Sequence, residues 1–361
     1  MIKTGASFVR QKYSMKTGLS PYLTRQGFLK LAGLGLLGIF LPGEWFTAHG
    51  MTRLTGDPLQ GRVTEINVDV YDTPTFKGNK VKLYWRDSVI PITAATIGDD
   101  EPSYNRVWYQ IGEEGFIHSG MIQPVRTLIN QPTREIPAIG ALAEVTVPFT
   151  DARLAPGRSE EVIYRFYYDT LYWVTEITQD ASGEAWYGVL DDKWKSTHYV
   201  LASHLHIIPE TELAPLSPGV PLEQKRIEVH TAVQVVIAYE REVPVFMSRA
   251  ATGAAFRDGN HFTPAGRHIT FCKRPCRHMA AGDLASNGYD LPGVPWICYI
   301  TENGVAFHGT YWHNDFGKPR SHGCINLPPQ AARWIYRWTQ PVVPPFEQQV
   351  YEDYGTTVDV I

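Results

Sequence analysis

Trp108-Tyr109-Gln110-Ile111 has a counterpart in Trp186-Tyr187-Gly188-Val189-Leu190, 78 positions further along the chain. The surroundings repeat as well. Asn67-Val68-Asp69-Val70-Tyr71 alternates polar and apolar residues, the pattern of a half-buried strand. Asp72-Thr73-Pro74 is turn chemistry. Gly115-Phe116-Ile117 and Ser119-Gly120-Met121-Ile122 then read as a strand and a tight turn into a closing strand. In the second copy Glu144-Val145-Thr146-Val147 and Ala155-Pro156 supply the early strand and turn, and Tyr199 to Leu205 supplies the close. Such self-similarity implies two copies of one small β unit, placed at residues 58–128 and 139–209. Trp85, Trp108, Trp173, Trp186 and Trp194 are expected to fill small cores. The second copy has a longer hairpin, Leu190 to Tyr199, from which Trp194 is placed to reach over whatever follows.

Pro209, Pro215, Pro218 and Pro221 mark residues 210–224 as a semi-rigid linker. A third unit is expected over 225–361. Ile227-Glu228-Val229 and Ala232 to Tyr239 are β-rich, the second covered on both faces, and Val243 to Ser248 returns as a hairpin partner. Residues 272 to 295, rich in Gly, Ala and Pro, read as a long loop of the kind often used as a lid. Trp296 to Thr301 is a strand, with Val305-Ala306-Phe307-His308 its partner across a turn. Ala331, Trp334, Ile335 and Trp338 share one face of a helix over Gln330 to Trp338. Thr356 to Val360 is a final strand.

Reactive chemistry concentrates in this third unit. His308-Gly309-Thr310 is followed by Ser321-His322-Gly323-Cys324-Ile325-Asn326-Leu327. A thiolate is the nucleophile of thiol acyl transfer, and an ordinary thiol near pKa ~8.5 is only slightly ionised at neutral pH. An imidazole within reach allows an ion pair to form and returns the proton to a leaving amine. Gly323 allows backbone N–H groups of Gly323 and Cys324 to converge on an oxyanion. Taken singly, a buried Cys is more often an inert small hydrophobe, and a lone His is usually structural.

The combination resembles the signature of the L,D-transpeptidase catalytic domain, a His followed at a distance by Ser/Thr-His-Gly-Cys-apolar-Asn/Arg. His308, Ser321, His322, Gly323, Cys324 and Asn326 match it position by position. The gap from His308 to Ser321 is slightly short, which shortens a loop at the pocket mouth. Ala251-Thr252-Gly253, Thr263-Pro264-Ala265-Gly266 and the closing strand resemble further family segments, so the resemblance covers residues 228–361. It implies a mainly β fold: a C-terminal β-sandwich with a short helix. It also implies Cys324 as nucleophile, His308 as base, and the Gly309 carbonyl as the group holding the His308 tautomer. Ser321 and Gly323 belong to the same catalytic turn. His322 is either a polar wall or a helper to the thiolate. Tyr299, Thr310, Tyr311, Trp312, Asn326 and Arg320 are the candidate substrate contacts. His308 is preferred to His313 as base because a strand end fixes a side chain better than a loop. The implied substrates are peptidoglycan stem peptides: a tetrapeptide donor cut before its terminal D-alanine, and a side-chain amine as acceptor. Carbapenem acylation is implied, and no cofactor. Water as acceptor would make the same residues an L,D-carboxypeptidase, and an idle domain would leave a wall-binding protein. A papain-like peptidase has its Cys before its His, the reverse of the order here.

The two repeats resemble bacterial SH3-like barrels, which implies wall binding. A net charge of −4 without a basic tract gives no argument for nucleic acid. Cys272 and Cys276 either pair or stay reduced, and they lack the further ligands of a zinc site. Residues 1–50 are expected to be a signal peptide or membrane anchor. Lys3, Arg10, Lys12, Lys16, Arg25 and Lys30 precede an apolar run from Leu31 to Leu41, too short to span a bilayer. Thr24-Arg25-Gln26-Gly27-Phe28-Leu29-Lys30 resembles a twin-arginine signal with Gln26 in place of the second arginine. Export to the cell-wall side is thus expected, by secretion or by retention at the membrane.

Overall fold

The computed structural model describes residues 51–53, 59–99, 101–257, 259–282 and 288–361. The expected signal or anchor, residues 1–50, lies outside them. No helix among the described residues is long and apolar enough to cross a membrane.

The protein is built almost wholly from strands. The first copy forms a six-stranded sheet in the order Met51–Arg53, Ala94–Ile97, Val107–Ile111, Gly115–His118, Asn67–Tyr71, Lys80–Trp85. A three-stranded sheet of Val89–Pro91, Gln60–Val63 and Ile122–Val125 accompanies it. Val68 and Val70 point inward, as their alternation requires, and join Val63, Ile90, Ile111, Ile117 and Ile122 in one core. The second copy is a seven-stranded sheet with its own core around Val145, Phe166, Val174, Tyr187 and Val200. Trp108, Trp173 and Trp186 are buried as expected, but Trp85 and Trp194 are 62% and 57% exposed. Trp85 lies on an edge strand, and edge strands have fewer neighbours to cover a large ring.

The third region comprises β1 (Lys225–His230), β2 (Val235–Glu240), β3 (Val243–Arg249), β4 (Gly266–Ile269), β5 (Cys272–Ala281), β6 (Tyr289–Tyr299), β7 (Ala306–Gly309), β8 (Ile325–Leu327), α1 (Pro329–Trp338), β9 (Val350–Tyr351) and β10 (Thr357–Val360). One five-stranded sheet runs β3-β2-β1-β10-β4 and the other β8-β7-β6-β5-β9. Ile227, Val229, Val236 and Val358 of the first meet Trp296, Phe307, Ile325 and Leu327 of the second, with Ala331, Ile335 and Trp338 of α1 in the same core. The last carbonyls of α1 lack helical partners. Buried Lys273 donates to the carbonyls of Tyr336, Thr339 and Pro341, and Lys225 donates to that of Trp338.

Three local expectations differ from what forms. Residues 231–234 are a turn rather than the start of β2, with Gln234 at φ 55° and Val233 exposed. The Gln234 side chain is held on both sides, to Thr231 O and to Thr252, which locks this geometry. Residues 210–224 are less a free linker than a strap. They include a short helix, Glu210–Leu213, and Leu213 and Leu216 pack on the core. Leu216 and Ala214 also exchange hydrogen bonds with Arg337. The supposed loop 272–295 is mostly the long hairpin β5–β6. Its Pro and Gly residues suggested a loop, but the hairpin gains a partner that composition does not show. It leans on the second copy. Tyr172 donates to Pro292 O, and a β-carbon at Gly293 (φ 69°) would fall 2.3 Å from the Tyr172 ring.

At this junction buried His278 of β5 bridges Asp191 of the second copy and Asp290 of β6. Asp192 accepts from Arg274 and from the His278 backbone N–H. Lys193 donates to Ala280 O, so the hairpin carrying Trp194 does reach the third region. Burial pulls the His278 imidazole down, but hydrogen bonds to Asp191 and Asp290 outweigh it and hold its pKa above the ordinary value. A raised histidine pKa contributes stability that is full below about 6.5 and lost as pH rises through the raised value. Breaking a buried pair of this kind costs on the order of 3–5 kcal/mol. His278→Gln is expected to lower the denaturant midpoint strongly at pH 6 and much less at pH 9.5. An equal loss at both pH values would show that the imidazolium charge is not what holds the junction.

Candidate active site

β7 and β8 run parallel, with Phe307 beside Ile325 and His308 beside Asn326. Side chains alternate between sheet faces. Phe307, Ile325 and Leu327 therefore enter the central core, where all three have zero exposure. His308 and Asn326 must point to the opposite face. One step back along both strands, so do Ala306 and Cys324, and Cys324 packs beside Ala306 and Tyr299 in the smaller cluster there. The pairing thus sets His308 and Cys324 diagonally on one face, and the resting Cys324 thiol donates to the Gly304 carbonyl at 3.7 Å.

His308 is 3% exposed. Its Nδ1 donates to the Gly309 carbonyl at 3.0 Å, which leaves Nε2 as the basic nitrogen. The Trp312 ring lies 5.7 Å from the imidazole. Burial pushes the His308 pKa down to about 4, only partly offset by the Gly309 carbonyl. Cys324 is half-buried. Burial pushes its thiol up to about 11, against a backbone hydrogen bond at Ala306. The resting pair is therefore neutral thiol and neutral imidazole, not the ion pair that the residue types alone suggest.

The turn before the thiol is tightly tied. Ser321 Oγ donates to the Cys324 carbonyl at 2.5 Å and accepts from the Gly323 N–H at 3.2 Å. This corrects one expectation. At φ 119° Gly323 aims its N–H back into the turn, so that donor is already taken. Thr263 Oγ1 donates to Gly323 O and accepts from Gly253 N–H, so the two loop segments expected near the site do meet beneath it. Ala251 pairs with Asn326 and Gly253 with Ser321 as isolated bridges.

The other candidates divide. Asn326 contacts His313 Nε2 at 3.1 Å, and its Oδ1 is buried without a partner. Thr310 is buried behind the strand end, with its hydroxyl also unpartnered. His313 is buried and accepts from the Asp315 N–H, and burial holds it neutral. It lies beside Asn326, the in-register neighbour of His308. His322 is exposed and stacks flat on Phe256 at 4.2 Å, with His261 edge-on at 4.9 Å and Tyr289 at 6.0 Å. It belongs to an aromatic rim rather than to the buried pair. Nothing in the residues around Phe256, His261 or Tyr289 signals that rim, because it is assembled from three separate segments. Three candidate substrate contacts are committed elsewhere. Tyr299 Oη accepts from Arg277, the Tyr311 carbonyl accepts from Arg62, and Arg320 pairs with Asp315 and Glu65. All four cysteines are free thiols, and the described residues contain no cluster of three or more His, Cys, Asp or Glu side chains arranged to hold a metal.

Residues 224–360 match the model of the YkuD family, the L,D-transpeptidase catalytic domain. A search of curated proteins gives no match. Among solved structures, an L,D-transpeptidase of Enterococcus faecium is similar at 22% identity and a TM-score of 0.30, over 38% of this chain and 50% of that one. One from Mycobacterium smegmatis is similar at 18% identity and a TM-score of 0.31, over 51% and 80%. One from Xylanimonas cellulosilytica is similar at 20% identity and a TM-score of 0.28, over 44% and 72%. The match thus spans half the length of the Enterococcus chain. These likenesses carry no argument by themselves, and the family match is confined to residues 224–360.

The neutral pair has a direct readout. Alkylation of Cys324 by iodoacetamide, with the rate of Cys324→Ala subtracted, is expected to keep rising to at least pH 10. A plateau by pH 8 would mean a thiolate far more accessible than this surrounding allows.

Proposed function

We propose that the protein is a peptidoglycan L,D-transpeptidase that works through a thioacyl intermediate on Cys324. The observation that carries this reading is the placement of Cys324 and His308 on one sheet face, with the His308 tautomer fixed by the Gly309 carbonyl. The YkuD match supplies the substrate class.

The chemistry follows from the neutral resting state. As Sγ attacks the carbonyl carbon of the donor tetrapeptide, the thiol proton passes to His308 Nε2. Since both partners start neutral, charge appears only as the transition state forms, where the Gly309 carbonyl supports the developing imidazolium. The carbonyl oxygen becomes an oxyanion. With the Gly323 N–H engaged by Ser321, the donor assigned to it is the backbone N–H of Cys324. Collapse breaks the bond to the terminal D-alanine, and His308 gives its proton to that leaving amine. A side-chain amine of a second stem then attacks the thioester and loses a proton through His308. The new amide forms, and Cys324 recovers its proton. The half-exposed thiol and the aromatic rim of His322, Phe256 and Tyr289 leave the acyl group open to an incoming amine. Action on wall peptides places the enzyme outside the cytoplasm, with the two N-terminal copies as candidate wall-binding elements.

Mass spectrometry of the chain incubated with a muropeptide tetrapeptide, and separately with a carbapenem, tests this. A cross-linked dimer and a drug adduct are expected, both lost in Cys324→Ala. His308→Gln is expected to slow acylation by about 10²–10⁴-fold, the usual range for removing a general base. Tripeptide without dimer would make the enzyme an L,D-carboxypeptidase. Absence of both product and adduct would leave a wall-binding protein.

A further inference from the structure

Arg62, on the strand Gln60–Val63 of the first copy, is 2% exposed. Its Nη1 donates to Asp87 at 2.9 Å, and its Nε and Nη2 both donate to Gln123 Oε1. Nη2 also donates to the Tyr311 carbonyl at 2.5 Å. The guanidinium lies over the Tyr167 ring of the second copy, 4.1 Å from its centroid, and Tyr167 stacks on Tyr311. The Tyr311 ring meets Trp312 edge-on, and Trp312 is the aromatic that faces His308.

Tyr311 begins the loop that joins the candidate base to the candidate nucleophile, and the first copy holds that loop at further points. Asn314 donates to Ser119 O at 3.0 Å, and Arg320 reaches Glu65 at 3.3 Å. A β-carbon at Gly120 would fall 2.7 Å from Asp315 Oδ1, so the Asp315 carboxylate sits close against the Gly120 backbone. A charge this deeply buried is a poor device for stability alone, since apolar packing of the same volume does as well or better. What a guanidinium adds is direction, because its donors form a rigid planar fork. The carbonyl it grips belongs to the peptide unit joining Tyr311 to Trp312. Fixing that plane fixes where the Trp312 ring goes.

We propose that Arg62 is a positioning residue for the active site: by gripping the Tyr311 carbonyl it keeps Trp312 against His308 and keeps water away from the imidazole. This rests on the reading of His308 and Cys324 as the reacting pair. It assigns the first copy a task in catalysis separate from any wall binding.

The test uses the full chain and compares Arg62→Ala with Arg165→Ala. Arg165 pairs with Asp87 and Asp151 in the same contact region but does not touch Tyr311. The main readout is the pH profile of Cys324 alkylation, which needs no turnover. Unfolding midpoints and the acylation rate accompany it. In the wild type a desolvated His308 gives no inflection between pH 5 and 8. In Arg62→Ala, water admitted to the imidazole is expected to bring an inflection between pH 5 and 7, where an ordinary histidine titrates. A protonated His308 makes the neighbouring thiol easier to ionise, so its titration is visible in the alkylation rate. Acylation is expected to fall at least tenfold. Arg165→Ala is expected to lower the unfolding midpoint with a flat profile. Should Arg62→Ala fail to fold, Gln123→Ala, which frees Nε and loosens Nη2, is read in the same way. A folded variant with a flat profile and unchanged acylation would overturn the proposal, whatever its midpoint. A wild type that never acylates a stem peptide would defeat the transpeptidase reading instead, and the alkylation profile would still decide the role of Arg62.

Discussion

A single buried guanidinium sets the geometry that the rest of the molecule shares. Arg62 takes Asp87 and Gln123 from its own sheets, the Tyr167 face from the second copy, and the Tyr311 carbonyl from the third region. A buried charge is tolerated only where it is paired and hydrogen-bonded, and here its donors find acceptors in two different parts of the fold. The penalty of leaving it unpaired is what forces those parts into register. The second copy is bound in its own way. Leu142, Leu171 and Trp173 belong to the same core as α1 and β7, and His278 bridges carboxylates from both sides of the junction. The second copy therefore shares packing with the third region rather than hanging from it as a separate bead.

Against that rigid frame the candidate site is made of small adjustments. The parallel pairing of β7 and β8 chooses which residues face the core and which face the substrate side. Desolvation then acts on His308 and Cys324, and it moves their pKa values apart in the direction that favours the uncharged pair. The Ser321 hydroxyl holds the turn by accepting from Gly323 and donating to Cys324 O, while Thr263 fixes the same turn from the opposite side. The candidate pair sits at strand ends, with the aromatic rim of His322, Phe256, His261 and Tyr289 beside it.

The candidate pair is a pattern that the sequence shows locally. His308 and Cys324 lie at the ends of short apolar strands, and the spacing of polar against apolar residues gives their face. α1 and the strands of both copies were legible for the same reason. What stayed hidden depends on partners far apart in the chain. Nothing near Arg62 announces Tyr311, and nothing near Asp191 announces His278. His278 reads as an ordinary residue near Cys276, yet it is a bridge between carboxylates. The hairpin β5–β6 reads as a loop in the sequence because Pro and Gly usually mark loops, and its contacts with the second copy lie far away in the chain. Arg320 and Tyr311 are expected as substrate contacts, but the first copy takes the Tyr311 carbonyl through Arg62 and part of the Arg320 guanidinium through Glu65.

The high pKa of the Cys324 thiol also bears on how long the enzyme stays alive. A thiol near 11 carries about one thiolate in ten thousand molecules at pH 7, and peroxides and disulfides attack the thiolate. On the proposed reading, a cysteine enzyme working outside the reducing cytoplasm would face such oxidants throughout its lifetime. Keeping the sulfur protonated until a substrate carbonyl arrives shelters it without any reductase, so the burial that makes His308 a base in waiting is also a form of chemical durability.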